Sequence, residues 1–120
     1  MQIDFSQAVT AEAKAQAAAF ERATAIRTEC RARILGVGSE TTQMNIAQAG
    51  ILFSTAILNG AVRVDALALA GLIEGDQERA VAWTAWRKAM QAECRRAIED
   101  GDVPVWPDVP TGVAEFAARH

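Results

Sequence analysis

The one imidazole in this 120-residue chain is His120, at the last position. A general base or metal ligand works only when it is held in place, and a terminal side chain rarely is. Without a second histidine, no His-based metal site of the usual spacing can be drawn. Gly36-Val37-Gly38-Ser39 stands before a helical pattern, as a phosphate-cradling loop does. It lacks the third glycine, the preceding strand and the following lysine, so a helix break with an N-cap accounts for all four residues. Glu99, Asp100 and Asp102 crowd acid around Gly101 without the ligand order of a calcium loop, which reads as a solvated turn. Cys30 and Cys94 belong to no C-x-x-C pair. They read as two reduced thiols packed as small apolar groups or, in oxidising surroundings, as a bridge between neighbouring helices. These residues predict no catalytic group, metal or cofactor, and the chain is expected not to be an enzyme.

Two further groups point to contact rather than reaction. Arg22, Arg27, Arg31 and Arg33, with Arg87, Lys88, Arg95 and Arg96, would make a basic patch if they shared one side. Glu29 and Glu93 interleave with them, so ordinary surface ion pairs explain most of the pattern. The net charge is −3, whereas nucleic-acid binders draw most of their affinity from a basic surplus. No nucleic-acid partner is expected. Trp83 and Trp86 lie three apart on one helical face, and Trp106 sits among the prolines. Either the helical pair anchors a core and Trp106 staples the proline segment over it, or one ring, Trp106 first, stays partly exposed as an interface hot spot.

The elements that must position these residues are helical. Tyr is absent and aromatic content is 6%, while Ala is abundant, which favours closely packed helices over a β-sandwich. With 51% hydrophobic residues a core is within reach, and the length suits one domain. Residues 2–6 alternate polar and apolar, which predicts a short extended arm that either lies across the bundle or pairs with the edge of another protein's sheet through Ile3 and Phe5. Residues 6–35 predict a first helix, with Val9, Ala13, Ala17, Phe20, Ala23, Arg27 or Ile26, Cys30 and Ile34 on its inner stripe. Ser39 caps a second helix that runs to about residue 58 and is followed by Asn59-Gly60. No charge occurs between Glu40 and Arg63, so this helix is expected at the centre of a bundle, sheathed by its neighbours. Its apolar part is about 15 residues where a span needs about 20, so no membrane span is expected.

Residues 64–73 predict a short helix and residues 76–99 a long one, with Ala80, Trp83, Trp86 or Arg87, Met90, Cys94 and Ala97 facing inward. The segment 103–110 holds all three prolines and must run extended. Thr111 is placed as the N-cap of a last short helix whose Val113, Phe116 and Ala117 point inward. The expected fold is therefore all-α: a small bundle of about four helices with an extended N-terminal arm and a C-terminal Pro/Trp strap. Residues 1–100 form the bundle and 101–120 the strap and short helix. Met1–Thr10 carries Asp4 and no basic n-region, so cytoplasmic residence, or residence in an assembly built there, is expected.

Two stretches carry a resemblance. Trp83-Thr84-Ala85-Trp86-Arg87-Lys88-Ala89-Met90, followed by Val105-Trp106-Pro107-Asp108-Val109-Pro110, resembles the C-terminal part of small bacteriophage tail fibre assembly proteins, or tail assembly chaperones. Ile3-Asp4-Phe5-Ser6 before an Ala/Glu-rich helix is similar to small open reading frames beside tail fibre genes. The motifs cover about a third of the chain, and residues 39–73 match none of them. The resemblance implies a non-enzymatic protein that binds a phage tail or tail fibre protein, in the host cytoplasm during assembly or as a minor component of the virion tail. Ile3, Phe5, Trp83, Trp86, Arg87, Trp106 and Pro107 are the expected partner-binding residues, and homo-oligomerisation is compatible with all of this. The alternative is a cytoplasmic homodimeric adaptor or regulatory module.

Overall fold

Alanine and unbranched side chains lose little conformational freedom in a helix, and long runs of them make long helices. The computed structural model describes the backbone of residues 5–120 and the side chains of residues 9–120. Five helices follow in chain order: α1 (Phe5–Val37), α2 (Glu40–Leu58), α3 (Arg63–Ala70), α4 (Asp76–Asp100) and α5 (Val113–Ala118). The chain is all-α, with no strand among the described residues.

The helices do not gather into a ball. The radius of gyration is 21.7 Å, against about 14 Å for a compact chain of this length. At 1.5 Å per residue α1 and α2 together measure about 78 Å, which nearly accounts for the 83 Å long axis. They follow one another end to end, joined at Gly38-Ser39, instead of folding into a hairpin. α3 returns along α2, and α4 runs antiparallel along the second half of α1. Arg22 of α1 reaches the carbonyls of Ala97 and Asp102 at the far end of α4, while Gly38 lies against Trp83 near its start. The result is a rod two helices thick, 26 by 20 Å in cross-section.

The core occupies only the middle of this rod. Ile26, Cys30 and Ile34 of α1 meet Trp83, Trp86, Met90, Cys94 and Ala97 of α4, and Val113 and Phe116 of α5 close the cluster. A Cβ at Gly38 would lie 2.7 Å from the Trp83 ring, so only glycine lets α1 end against that indole. Ser39 caps α2 as expected, its hydroxyl accepting from the Thr42 amide at 3.1 Å.

Several sequence expectations are corrected here. α2 is not sheathed: only Ile46 and Ala49 are buried, and Leu58 is 86% exposed. The reason is its direction, since it leaves the core rather than crossing it. Residues 9–21 of α1 are exposed on every side, Val9, Ala13, Ala17 and Phe20 included, because α4 ends opposite Arg22. Phe5 and Ser6 belong to α1 rather than to an extended arm; Ile3 lies outside the described residues. α3 stops at Ala70, three residues early, because Gly71 takes a left-handed conformation. The cap of α5 is Gly112, also left-handed, in place of Thr111, although Val113, Phe116 and Ala117 are buried as expected.

Candidate docking surface

The residues expected to meet a partner separate into two groups. Trp83 and Trp86 are buried, at 1% and 4% exposure, with ring centroids 5.8 Å apart. Aromatic rings this enclosed contribute to packing and leave nothing for an outside surface. The Trp86 indole N–H donates to the Pro107 carbonyl at 3.1 Å, so Pro107 acts as the acceptor that ties the strap to α4. Arg87 stacks over Trp83, its guanidinium carbon 5.6 Å from the ring centroid.

Trp106 is different, being half-buried. Its indole N–H donates to Glu29 Oε1 at 3.0 Å, and Arg33 lies over its ring at 5.7 Å. Glu29 also pairs with Arg33, so one carboxylate orders both contacts. Trp106 thus staples the strap to α1 and still presents part of its ring to solvent. The side chain of Phe5 lies outside the described ones.

Two polar clusters hold this frame, and sequence reading found neither. Asp76 opens α4 and is the one fully buried charged residue among those described. Its Oδ1 accepts from Arg119 at 2.6 Å and Arg79 at 2.9 Å, and its Oδ2 accepts from the Ile73 amide at 3.0 Å. Burial alone would raise this carboxyl, but the hydrogen bonds from Arg119, Ile73 and Arg79 outweigh it and hold the pKa at about 2. At the other end of α4, Glu93 accepts from Arg96 at 2.6 Å and from the Val105 amide at 2.8 Å, and these contacts depress its pKa to about 2. Arg96 also reaches Asp100 and Asp102, which turns the acidic knot into part of a strap anchor. Among the described residues no group of three or more potential ligands gathers for a metal.

The arginines divide likewise. Arg22, Arg33 and Arg96 are engaged in the frame, while Arg27, Arg31, Arg87 and Arg95 line an open groove of about 430 Å³ between α1 and α4. Cys30 and Cys94 lie side by side at its floor as free, buried thiols. Burial pushes the Cys30 thiol up, and the neighbouring Cys94 pushes it further, so Cys30 is not set up as a nucleophile.

What remains is apolar surface on the two projections. Phe20 of α1, Met44, Ile51, Leu52 and Leu58 of α2, and Val64 and Leu69 of α3 all stand in solvent. Exposed large apolar residues this numerous mark interaction sites on a folded chain. No described helix is long and apolar enough to cross a membrane. The signal was present in the uncharged segment between Glu40 and Arg63; what the sequence did not carry was the direction in which that helix leaves the core. No family model matches the chain, and no curated protein or solved structure is significantly similar to it.

Proposed function

We propose that this chain is a non-enzymatic assembly component of a bacteriophage tail, binding a tail or tail fibre protein as a minor virion component or an assembly factor. The observation that carries the docking role is the pair of exposed projections: an uncharged α2 with its outer face in solvent, and a first part of α1 in which residues 11–21 are all exposed. A chain that hides its apolar surface within itself has no use for such ends, whereas an assembly module does. The phage assignment rests on the Trp-x-x-Trp-Arg helix and the Trp-Pro strap, which the structure links through the Trp86–Pro107 hydrogen bond.

The test is co-expression with the tail and fibre proteins encoded beside it, followed by affinity purification and by mass spectrometry of purified virions. Presence in virions supports a structural component, and absence with co-purification of a fibre supports a chaperone. Absence from virions together with no association with any tail or fibre protein would overturn the reading. The second reading, a cytoplasmic homodimeric adaptor, is favoured by the same exposed face of α2, and a dimer indifferent to every tail protein would establish it.

A further inference from the structure

α2 carries two stripes. Ile46, Ala49, Phe53 and Ala56 turn toward the rest of the chain, all buried or half-buried. Met44, Ala47, Ile51, Ser54 and Leu58 lie on the opposite side, all exposed, at alternating steps of three and four. That spacing is the seam of a helix pair: large residues fall at one heptad position, and the small Ala47 and Ser54 fall at the other. The seam is also nearly unchanged by reversal about Ile51. Turned end for end, Met44 exchanges places with Leu58 and Ile51 with itself, while Ala47 and Ser54 exchange places to within one residue. We infer that α2 pairs antiparallel with α2 of a second copy of this chain, across a two-fold axis at Ile51.

Three observations select a second copy over another occupant. Self-complementarity is what a two-fold interface demands, since the same patch serves both sides. Neither helix carries a charge between Glu40 and Arg63, so pairing two of them desolvates no ion and opposes no like charges. The area also suits. The chain exposes 8205 Å², roughly 1,900 Å² more than the ~6,300 Å² expected of a compact monomer of its mass. That surplus is spread over residues 9–21 of α1 as well as α2 and α3, and half of it hidden from each chain makes an interface of standard size, about 1,200–2,000 Å² in total. Ala47, Gly50 and Ser54 let the two backbones approach closely along the seam.

The inference rests on α2 being a docking helix, and not on which tail protein is bound elsewhere. Sedimentation equilibrium of the purified full chain tests it without any tail protein, so it can fail while the phage reading stands, and the reverse. A dimer is expected at micromolar concentration, and Ile51→Glu, which sets two carboxylates against each other on the axis, should weaken it more than about tenfold. Ile51 is exposed in the monomer, so the helical signal should persist. Ile51→Cys should cross-link to itself under mild oxidation. Met44→Cys alone should not, but should cross-link when mixed with Leu58→Cys; the wild type, with its thiols buried, controls for Cys30 and Cys94. A monomer at 100-fold higher concentration overturns the inference, as does a dimer indifferent to Ile51→Glu. Self-linking of Met44→Cys in place of the mixed pair would show parallel helices and overturn the proposed two-fold axis.

Discussion

The middle of the rod and its two ends are built from the same kinds of residue and behave in opposite ways. In the middle, the second half of α1 meets α4, α5 and the strap, and Ile26, Cys30 and Ile34 are buried. At the ends, residues 9–21 of α1 and most of α2 show comparable apolar spacing, yet Val9, Phe20, Ile51 and Leu58 are exposed. The lesson concerns chain direction. Amphipathic periodicity says that a face wants cover, and it does not say that the cover comes from the same chain. Where a neighbouring helix runs alongside, the stripe becomes core, and where that helix stops, the same stripe becomes a surface.

The sharpest break of this contrast is Trp83→Ala in the middle. It should cost about 3–5 kcal/mol, read as a lower urea midpoint, because a fully buried indole is replaced by a cavity. Next comes the buried carboxylate. Arg119→Met leaves Asp76 with Arg79 and the Ile73 amide alone and should cost about 2 kcal/mol. The same cluster sets an acid response. A carboxyl whose folded pKa lies below its unfolded value stabilises fully above the unfolded value, near 3.8, and loses that contribution as pH falls through about 2. About 2 kcal/mol of stability should therefore disappear over that window, and Asp76→Asn should flatten this part of the urea midpoint against pH.

Gly38→Ala should cost about 1–3 kcal/mol, since the new methyl meets the Trp83 ring and the helix end must shift. Trp106→Ala should cost only about 1 kcal/mol, because the ring is half-exposed and one hydrogen bond is lost. If it abolishes binding to a tail protein while stability barely moves, the strap is an interface as well as a staple. At the end of the rod, Leu69→Ser should change the midpoint by less than about 0.5 kcal/mol, as expected of an exposed position. A large loss there would mean that the end is covered in solution, and the contrast between middle and ends would then belong to the isolated chain alone.

Much of the architecture was legible beforehand because its signals are local. Ser39 as a cap, the start of α4 at Asp76 and the inward set Val113, Phe116 and Ala117 follow from capping and periodicity within a few residues. The buried Asp76–Arg119 pair was not legible, since 43 positions separate its members and each looks like an ordinary surface charge. Burial of Trp83 and Trp86 was one of two open readings, and only the position of Gly38 and the strap around them decides it. Of the candidate surface, the uncharged run in α2 was conspicuous, but its exposure depends on α1 and α2 running end to end, which no local pattern encodes.

Both connections between the α2–α3 hairpin and the core pass through glycine: Gly38 on one side, Gly71 and Gly75 on the other. Gly71 and Gly75 adopt positive φ, 71° and 88°, where other residues are strained. Backbone changes that re-aim a whole segment are absorbed at a few such positions. The hairpin tip stands about 28 Å beyond this neck, so a tilt of about 10° there would carry Leu58 through roughly 5 Å while straining the contacts of Ile46 with the core and of Asn45 with the His120 carbonyl. A module built this way can meet partners at slightly different spacings, as a joint in a scaffold does, and replacing these glycines with alanine would narrow the tolerance.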